Sequence, residues 1–355
     1  MQPCDHSIIG VRGKKNSTGS RTGELDLIRQ IRDRSASGGA RRGVTLGIGD
    51  DCALLRPGRD EEIAVTTDMS IDGRHFLLNR HPPEVVGHRT LARGLSDLAA
   101  MGARPLAAFV SLGVPKRLTT PGRSGESWVS RFYDGLLALA AEYETALAGG
   151  DLAESPVAVA DIVLVGAVKR GRALLRSGAR AGDAIYVTGQ LGGAAAGLER
   201  LMSSQLKVRS STIAVGRSKK DALLVGAHSH PQPRVAQGRW LAQRGAATAA
   251  IDLSDGLSTD LAHVCEESGM AAEVNAAMLP VAPLATLEQA LHGGEDYELL
   301  FTAREGLRIP GSITGVKVTR IGRMVRHTAK RPRVALITAN DSKQPLEPRG
   351  WQHFD

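Results

Sequence analysis

Residues 247–269, ATAAIDLSDGLSTDLAHVCEESG, predict a short apolar strand that runs directly into a helix. The helix is expected to begin with Ser254 or Asp255 as its N-cap and to end before Gly269. Because the N-terminal end of a helix carries free N–H groups and the positive end of the dipole, this junction favours a bound anion. Capping explains one of its polar residues, but it does not explain Asp252, Ser254 and Asp255 together.

The same alternation of strands and helices extends through both halves of the chain, which predicts an α/β or α+β fold. Periodicity and turn residues predict helices over residues 23–34, 83–101, 127–147, 235–244 and 254–269, and another that begins at Gly192. Apolar runs predict strands over residues 44–48, 52–55, 62–67, 105–114, 157–168, 184–189, 247–253, 297–303 and 333–338. The helix over 127–147 is expected to stop at Gly149 and Gly150.

A chain of 355 residues is long enough for two domains, and its content of 42% hydrophobic and 23% charged residues is typical of a globular protein. We expect a disordered basic tail over 1–22, an N-terminal domain over 23–170 and a C-terminal domain over 171–355. No apolar run approaches the roughly 18 residues of a membrane span, and no signal-peptide pattern is seen, so we expect a cytoplasmic location. The 3 widely spaced cysteines predict free thiols.

The net charge of +8 raises the possibility of nucleic-acid binding, but the distribution of charge argues against it. Residues 1–22 contain four basic and one acidic side chain, and residues 320–350 contain eight basic and two acidic ones. The body between them is close to neutral, whereas a nucleic-acid domain carries its basic surface on the folded body. Solvated basic ends are the better interpretation.

Seven aspartates occur in short motifs flanked by glycine, serine or threonine, namely Asp50, Asp51, Asp68, Asp97, Asp151, Asp252 and Asp255. Several of them close apolar runs, and carboxylates that close neighbouring strands tend to meet at one edge of a sheet. Clustered anions repel one another unless cations lie between them. Oxygen ligands suit Mg²⁺, which commonly accompanies nucleotide phosphates. The pattern predicts a magnesium-dependent enzyme of phosphate chemistry.

Two motifs near the N-terminal end of this set differ in how specific they are. In GIGDDCALL, Asp50 and Asp51 should point to opposite sides of an extended chain, so that one could bind metal while the other caps a turn. In TTDMSIDGRHF, Thr66, Thr67 and Asp68 place two hydroxyls and a carboxylate at the end of an apolar strand. Hydroxyl, carbonyl and carboxylate oxygens together predict a hard-cation site.

Other polar residues in these motifs have both a functional and a structural interpretation. Asp97 lies in an otherwise apolar helix, where a carboxylate is costly to bury unless it is paired or metal-bound, so we favour a functional role. Gly149 and Gly150 could admit a phosphate to the backbone, with Asp151 holding the metal, although a double-glycine helix end is the alternative. His75 could contact a phosphate or serve the structure alone.

Two motifs near the C-terminus predict a second polar pocket. Glu295 and Asp296 follow a double glycine and could face the phosphate acceptor. Trp351 could stack on a heteroaromatic ring or pack against the edge of the core. The chain has no P-loop, no dinucleotide-binding glycine motif after its first strand and no protein-kinase signature, and His228 and His230 lack partners at zinc spacing. The predicted phosphate chemistry therefore needs a phosphate-binding fold other than those that these motifs identify.

The chain resembles the thiamine-monophosphate kinase family in motifs that occur in the same order over residues 23–354. These motifs are GIGDDCALL, TTD…GRHF, LSDLAAMGA, GGD, ALLRSGARAGDAIYVTG, H-x-x-P-x-PR, AIDLSDGL, GGEDYEL and GWQHF. The resemblance implies the two-domain fold of the aminoimidazole ribonucleotide synthetase superfamily, with mixed sheets covered by helices and a homodimer formed through the N-terminal domains. It also implies ATP-dependent phosphorylation of thiamine monophosphate to thiamine diphosphate with several Mg²⁺ ions.

The resemblance further implies roles for individual residues. The magnesium ligands would be Asp51, Thr66, Thr67, Asp68, Asp97, Asp151, Asp252 and Asp255. ATP would contact Gly150, Asp151, Arg176 and Ser254, and the thiamine substrate would contact His75, Glu295 and Trp351. Transfer of the γ-phosphoryl group would be direct and in-line, without a general base or a covalent nucleophile, because the attacking phosphate oxygen is already anionic.

The chain departs from the family pattern at a few positions. Leu152 and Ala153 stand where many members have two threonines beside the metal site, and Arg74 replaces an apolar residue or asparagine before His75. The alternative functions are another ATP-using synthetase of the superfamily and a catalytically inactive protein that binds nucleotides or thiamine phosphates. A selenophosphate synthetase would need a reactive cysteine and lysine in a glycine-rich N-terminal segment, whereas Cys4 lies outside the matched region.

Overall fold

The computed structural model describes residues 24–36, 43–46, 48, 52, 54–122, 125–203 and 219–351. The helices are α1 (Glu24–Ala36), α2 (Pro83–Ala100), α3 (Trp128–Glu142), α4 (Gly193–Ser203), α5 (Lys219–Ser229), α6 (Val235–Arg244), α7 (Leu257–Glu267) and α8 (Leu287–His292). The strands are β1 (Val44–Leu46), β2 (Leu54–Leu55), β3 (Glu61–Ile71), β4 (Arg104–Val114), β5 (Ala146–Glu154), β6 (Val159–Lys169), β7 (Ala184–Thr188), β8 (Ala249–Asp252), β9 (Met270–Asn275), β10 (Leu299–Ala303), β11 (Ser312–Ile313), β12 (Val316–Arg326), β13 (Val334–Ile337) and β14 (Lys343–Pro345). The predicted tail over 1–22 lies outside the described residues.

The first large sheet has four strands in the order β3–β6–β4–β5. Strand β6 is antiparallel to both of its neighbours, whereas β4 and β5 run parallel. Helices α2 and α3 pack together and bury large apolar side chains against it, among them Leu95, Phe132 and Leu164. An ion pair of 2.8 Å between Glu84 and Arg131 joins the two helices.

The two faces of this sheet are different because side chains alternate along each strand. On β3, Thr66, Asp68 and Ser70 point to the side of α2, which we call the covered face. The intervening side chains point away from the helices, to what we call the open face, which on β3 consists of Ile63, Val65, Thr67 and Met69. The small β1–β2 sheet covers only one end of the open face.

The second large sheet has eight strands and is mainly antiparallel. Its order is β14–β13–β9–β12–β7–β10–β8, with β11 paired to β12, and only the β13–β9 pair runs parallel. Helix α7 packs Leu261 and Val264 into a core that includes Ile185 and Ile251 of the sheet. The strand β8 ends at Asp252, so the polar junction between β8 and α7 lies at an edge of this core.

Helix α2 connects the two large sheets. It packs on β3 and β6 of the first sheet and also on β8 of the second, as well as on α6. The Ser96 hydroxyl of α2 donates a hydrogen bond of 2.7 Å to Asp252 at the end of β8. Although α2 has 18 residues, no helix in the described ranges is long and apolar enough to cross a membrane.

The predicted fold class of mixed sheets and helices is confirmed, but the helix predicted over 127–147 is too long at its C-terminal end. Helix α3 ends at Glu142, and the chain turns through Glu144, whose φ is 50°. The next residues form β5, which pairs with β4 and therefore places Gly149 and Gly150 inside a strand. The Ala- and Leu-rich sequence favours a helix locally, but pairing with β4 satisfies its backbone in the sheet.

Candidate active site

A cavity of about 560 Å³ lies where the end of β3, helix α2, the β8–α7 junction and residues 293–297 meet. It is lined by Asp68, Gly73, Arg74, His75, Phe76, Leu77, His81, Arg93, Asp97, Ala195, Leu198, Met202, His228, Asp252, Ser254, Asp255, Gly294, Glu295, Tyr297 and Trp351. The cavity therefore brings together most of the predicted site residues, from both halves of the chain. Asp50 and Asp51 lie outside the described residues.

Three of the predicted metal ligands form a carboxylate cluster in this cavity. Asp68 comes from β3, Asp97 from α2 and Asp252 from the end of β8. The Thr66 hydroxyl donates a hydrogen bond to Asp97, and Ser96 donates to Asp252 as described above. These contacts fix the carboxylates on three different elements that share one core.

The electrostatics of the cluster favour a bound cation. Burial, and next the negative charges of Asp252 and Asp68, raise the pKa of Asp97 to about 8. Burial and the charge of Asp68 also raise the pKa of Asp252, although the hydrogen bond from Ser96 opposes this. Arg93 offers partial compensation, since its guanidinium lies 3.4 Å from Asp68.

The residues of the cluster fit Mg²⁺ by chemistry, because they offer only oxygen donors and their charges destabilise one another in the absence of a cation. Among the described residues, no three histidine, cysteine, aspartate or glutamate side chains converge closely enough to hold one ion. Mutual repulsion keeps like charges apart. The assignment of these side chains as magnesium ligands stays a prediction.

The junction between β8 and α7 is organised differently from the prediction. Neither Ser254 nor Asp255 caps the helix, because the N-cap is Gly256, with φ of 111° and no side-chain hydrogen bond. Instead, Asp260 of the first turn accepts hydrogen bonds from the backbone N–H groups of Asp255 (3.1 Å) and Gly256 (3.0 Å). Asp260 thereby leaves Ser254 and Asp255 at the cavity wall.

Trp351 borders the same junction. Its backbone N–H donates to the Asp255 carbonyl (3.3 Å), while the N–H of Gly350 donates to the Thr259 hydroxyl (3.0 Å). The indole is 48% exposed and lines the cavity, so it is available to stack on a ligand. The position agrees with the predicted substrate contact, which stays a prediction.

The segment over 293–298 carries the acidic group on the opposite wall. Glu295 has φ of 68° and its N–H donates to the Ser254 carbonyl (2.8 Å), so a strained backbone is fixed at the cavity. Burial would raise the pKa of Glu295, but Arg89 and His228 more than offset it, and the pKa falls to about 2. Asp296 points elsewhere, because its carboxylate accepts from the N–H of Gly192 at 2.6 Å.

His75, predicted to contact the substrate, lies at the cavity wall where β3 ends. Its Nδ1 accepts a hydrogen bond of 3.1 Å from the Ile71 N–H, so the proton of the neutral ring is on Nε2. Arg74, the departure from the family pattern, is exposed and also lines the cavity. A cation and an N–H donor therefore border the mouth of the cavity beside the carboxylate cluster.

Five of the predicted site residues that the structure describes are not part of the cavity lining, namely Thr66, Thr67, Gly150, Asp151 and Arg176. Thr67 points to the open face, on the opposite side of β3 from Asp68. Gly150 and Asp151 lie on β5, at the other edge of the four-stranded sheet. Since β3 and β5 are three strand spacings apart, the separation is about 14 Å. A Cβ on Gly150, whose φ is 153°, would collide with the Val110 carbonyl of β4.

Arg176 is exposed in the segment between the two sheets and is not part of the cavity lining. Its positive charge nevertheless lowers the pKa of both Asp97 and Asp252, although burial of those carboxylates has the larger, opposite effect. It lies near enough to the carboxylate cluster to act on a phosphate held there. The predicted contact with ATP stays a prediction.

Several residues of the site were not predicted from the sequence. Arg89 and Arg93 pair with Glu295 and Asp68, while His81 and His228 line the cavity and contact each other. The spacing of Arg89, Arg93 and Asp97 is i, i+4, i+8, which places them on one face of α2. That spacing was a usable signal, because it is a polar stripe on an otherwise apolar helix.

Comparisons with known proteins identify the family of the chain. Family models match residues 49–169 as the N-terminal domain and 180–311 as the C-terminal domain of AIR synthase related proteins. The thiamine-monophosphate kinase of Escherichia coli is 40% identical over 94% of this chain and 98% of its own length. The crystal structure of thiamine-monophosphate kinase from Stenotrophomonas maltophilia is 37% identical, with a TM-score of 0.75 over 88% of this chain and 96% of that one.

A further solved structure bears on ligands. AaThiL, complexed with AMPPCP and TMP, is 29% identical, with a TM-score of 0.70 over 96% of this chain and 100% of that one. The matches cover both sheets and nearly the whole length of the relatives. This chain belongs to the thiamine-monophosphate kinase family of the AIR synthase related proteins.

Proposed function

We propose that this protein is a kinase that transfers the γ-phosphoryl group of ATP to the phosphate of thiamine monophosphate, giving thiamine diphosphate. The observation that carries the proposal is the cluster of Asp68, Asp97 and Asp252 in a cavity that also contains an ionised Glu295. The names of the relatives and the AMPPCP and TMP in a related structure support the same reaction. The fold supplies one cavity large enough for both reacting groups.

Mg²⁺ would be held by Asp68, Asp97, Asp252 and Asp255 in the cavity, with Asp51, Thr66, Thr67 and Asp151 as the further expected ligands. When bound, it would neutralise the charge of the phosphates. The protein's own contribution is to fix the carboxylates and to place Arg93 beside Asp68. No general base is assigned, because the attacking oxygen of the substrate phosphate is already anionic.

The walls of the cavity suit two different ligands. Ser254 lines the cavity at the β8–α7 junction, beside the N-terminus of α7, which favours phosphates, so we propose that ATP binds there, with Arg176, Gly150 and Asp151 as further expected contacts. His75, Glu295 and Trp351 border the rest of the cavity. A carboxylate and an indole are suited to a cationic heteroaromatic ring, which describes the thiamine part of the acceptor.

We further propose that the protein is a homodimer formed through the open face. Val65 and Met69 of that face are 61% and 50% exposed, an unusual exposure for apolar side chains in the middle of a strand. Asp151 lies in register with Met69 across the sheet and points to the same side, as Thr67 does. A second copy bound to the open face would lie close to Thr67 and Asp151, neither of which lines the cavity of a single chain.

The location proposed for the reaction is the cytoplasm. The thiols of Cys52 and Cys265 are free, which fits a reducing compartment. The cytoplasm also supplies ATP, which is a second reason for proposing this location. We propose no nucleic-acid partner, because the basic excess of the sequence lies at its ends.

The test is formation of thiamine diphosphate by the purified protein, given thiamine monophosphate, ATP and Mg²⁺. The controls omit the metal or replace thiamine monophosphate with thiamine, which has no acceptor phosphate. Metal-dependent product only with the monophosphate supports the proposal. A folded protein that binds ATP but yields no product would instead favour an inactive homologue or another acceptor, and Leu152→Thr would then test the departure beside Asp151.

A further inference from the structure

The segment over 228–234, HSHPQPR, has no part in the proposed reaction, yet both of its ends hold the loop that carries Glu295. At one end, His228 is buried to 1% exposure directly behind Glu295, and their Nδ1 and Oε2 atoms lie 3.5 Å apart. At the other end, Arg234 donates two hydrogen bonds to Glu298, of 2.6 and 2.5 Å. Contacts at both ends of the segment therefore hold this loop in place.

Both ring nitrogens of His228 have polar neighbours. Its Nε2 lies 3.0 Å from Nε2 of His81, and Nδ1 of His81 lies 3.0 Å from the Leu77 nitrogen and 3.3 Å from the Leu77 carbonyl. Nδ1 of His228 lies 3.5 Å from Glu295 Oε2 and 3.3 Å from the Arg89 guanidinium. Nδ1 is therefore the ring atom next to both members of the Arg89–Glu295 pair.

Arg89 completes the arrangement from α2. Its guanidinium donates to Glu295 Oε1 at 2.6 Å and also to the His228 carbonyl. Arg89 is buried to 4% exposure, and a buried ion pair contributes only when its geometry is fixed and its remaining groups are satisfied. His228 fixes this geometry twice, because its carbonyl orients Arg89 while its ring faces the second oxygen of Glu295.

We propose that His228, supported by His81, is a positioning residue that holds the Arg89–Glu295 ion pair and thereby aims the Glu295 carboxylate into the cavity for the cationic part of the substrate. The proposal rests on the proposed function for the identity of that substrate, whose thiazolium ring is the cation. The contacts inside the protein do not depend on it.

Two conservative variants separate the two nitrogen contacts. In His228→Asn, the amide stands near the position of Nδ1 and keeps a polar group beside Arg89 and Glu295. In His228→Gln, the longer amide reaches the position of Nε2 and keeps the contact with His81 but leaves the Arg89–Glu295 pair without a polar neighbour at the Nδ1 position. His228→Ala removes both. The matched control is His230→Asn, because His230 belongs to the same segment but packs on His88.

The KM for thiamine monophosphate should rise about tenfold in His228→Ala and His228→Gln and by less than about threefold in His228→Asn, because loss of one contact to a charged group is of that size. The KM for ATP should stay close to that of the wild type in all three, and His230→Asn should match the wild type in both constants. Unchanged KM for thiamine monophosphate in His228→Gln, or equal losses in His228→Asn and His228→Gln, would overturn the proposal.

Crystal structures of the ligand-free variants make the result independent of turnover. If wild-type protein forms no thiamine diphosphate, the proposed function fails, but displacement of Glu295 from Arg89 in His228→Gln and not in His228→Asn still supports the positioning role. A Glu295 side chain that stays in place in both His228→Gln and His228→Ala overturns it. If His228→Ala does not fold, the comparison of the Asn and Gln variants decides alone.

Discussion

The two faces of the four-stranded sheet differ more than their sequences suggest. On the covered face, Asp68 lines the cavity, and Thr66 donates a hydrogen bond to Asp97 of α2. On the open face, the next residue along the same strand, Thr67, lies between exposed apolar side chains. Three residues that are adjacent in sequence and share one predicted role are therefore divided between two surfaces. A motif that is contiguous in sequence does not have to be a contiguous site.

The largest expected effect is on the covered face, at the carboxylate cluster. Asp68→Asn and Asp252→Asn should each lower the rate of thiamine diphosphate formation by roughly two to three orders of magnitude, because each removes an anionic ligand of the Mg²⁺ that would neutralise the phosphates. Circular dichroism should show an intact fold, since the amide oxygen introduced by Asp252→Asn can still accept from Ser96. Wild-type rates in both variants would refute the metal assignment, and Asp60→Asn, in an exposed turn, serves as the control.

The second effect is the pH dependence of stability on the covered side. Burial, the largest cause, lowers the pKa of His81 and of His88 to about 4. Unfolded histidine has a pKa near 6.5, so the unfolded chain binds more protons between pH 6.5 and 4, and these histidines cost stability as the pH falls through that window. The cost approaches roughly 3 kcal/mol for each histidine.

The buried carboxylates complicate this measurement, because the raised pKa of Asp97 gives a contribution of the opposite sign. Comparison with His88→Gln isolates one histidine, since a glutamine amide can replace the hydrogen bond of 2.9 Å to the Pro231 carbonyl. In urea unfolding at pH 7, 5.5 and 4.5, the free energy of unfolding of the variant should rise relative to that of the wild type as the pH falls. If the free energy of unfolding falls equally with pH in the variant and the wild type, His88 is not held neutral in the folded protein.

The third effect tests the open face. Val65→Glu would place a charge in the middle of the proposed dimer contact and should weaken association by roughly a hundredfold. Analytical ultracentrifugation should then give the monomer mass at concentrations where the wild type is dimeric. Val65→Thr keeps the shape of the side chain and should remain dimeric. A wild-type protein that is already monomeric would remove the basis of the comparison.

The smallest effect compares neighbours directly. Thr66→Ala leaves Asp97 without its hydroxyl partner and should lower the turnover rate by about tenfold at every protein concentration. Thr67→Ala acts on the other face, so its effect should depend on whether the dimer is assembled. Initial rates measured over a range of protein concentrations distinguish the two. Identical concentration dependence in both variants would show that the faces do not act separately.

The sequence was sufficient for the class of fold and for most of the cavity, for identifiable reasons. Helices such as α2 and α6 carry strong apolar periodicity and clear ends, so their predicted ranges agree with the structure. Asp68 of β3 and Asp252 of β8 were recognisable because a carboxylate after an apolar run is unusual. They do not meet at one sheet edge as expected, because β3 and β8 belong to different sheets, and it is α2, packed on both strands, that brings them to one cavity.

The predictions that failed concern residues whose structure depends on contacts with distant parts of the chain. The helix predicted over 127–147 ends early, and residues 146–154 form a strand because β4 lies beside them, which no local pattern shows. The helix cap was predicted at Ser254 or Asp255, whereas the N-cap is Gly256 and Asp260 accepts from the N–H groups of Asp255 and Gly256. The pairing of His228 with Glu295 joins positions 67 residues apart, and no local pattern indicates it.

Helix α2 has a consequence for how the molecule moves. It is buried from Val85 to Ala100 almost without interruption, and it touches both large sheets. The sheets therefore cannot hinge apart without exposing it, so we expect its amides to be the slowest in the protein to exchange with deuterated solvent. Entry of ligands is then expected at the surface around Arg74 and Trp351, which line the cavity and are exposed.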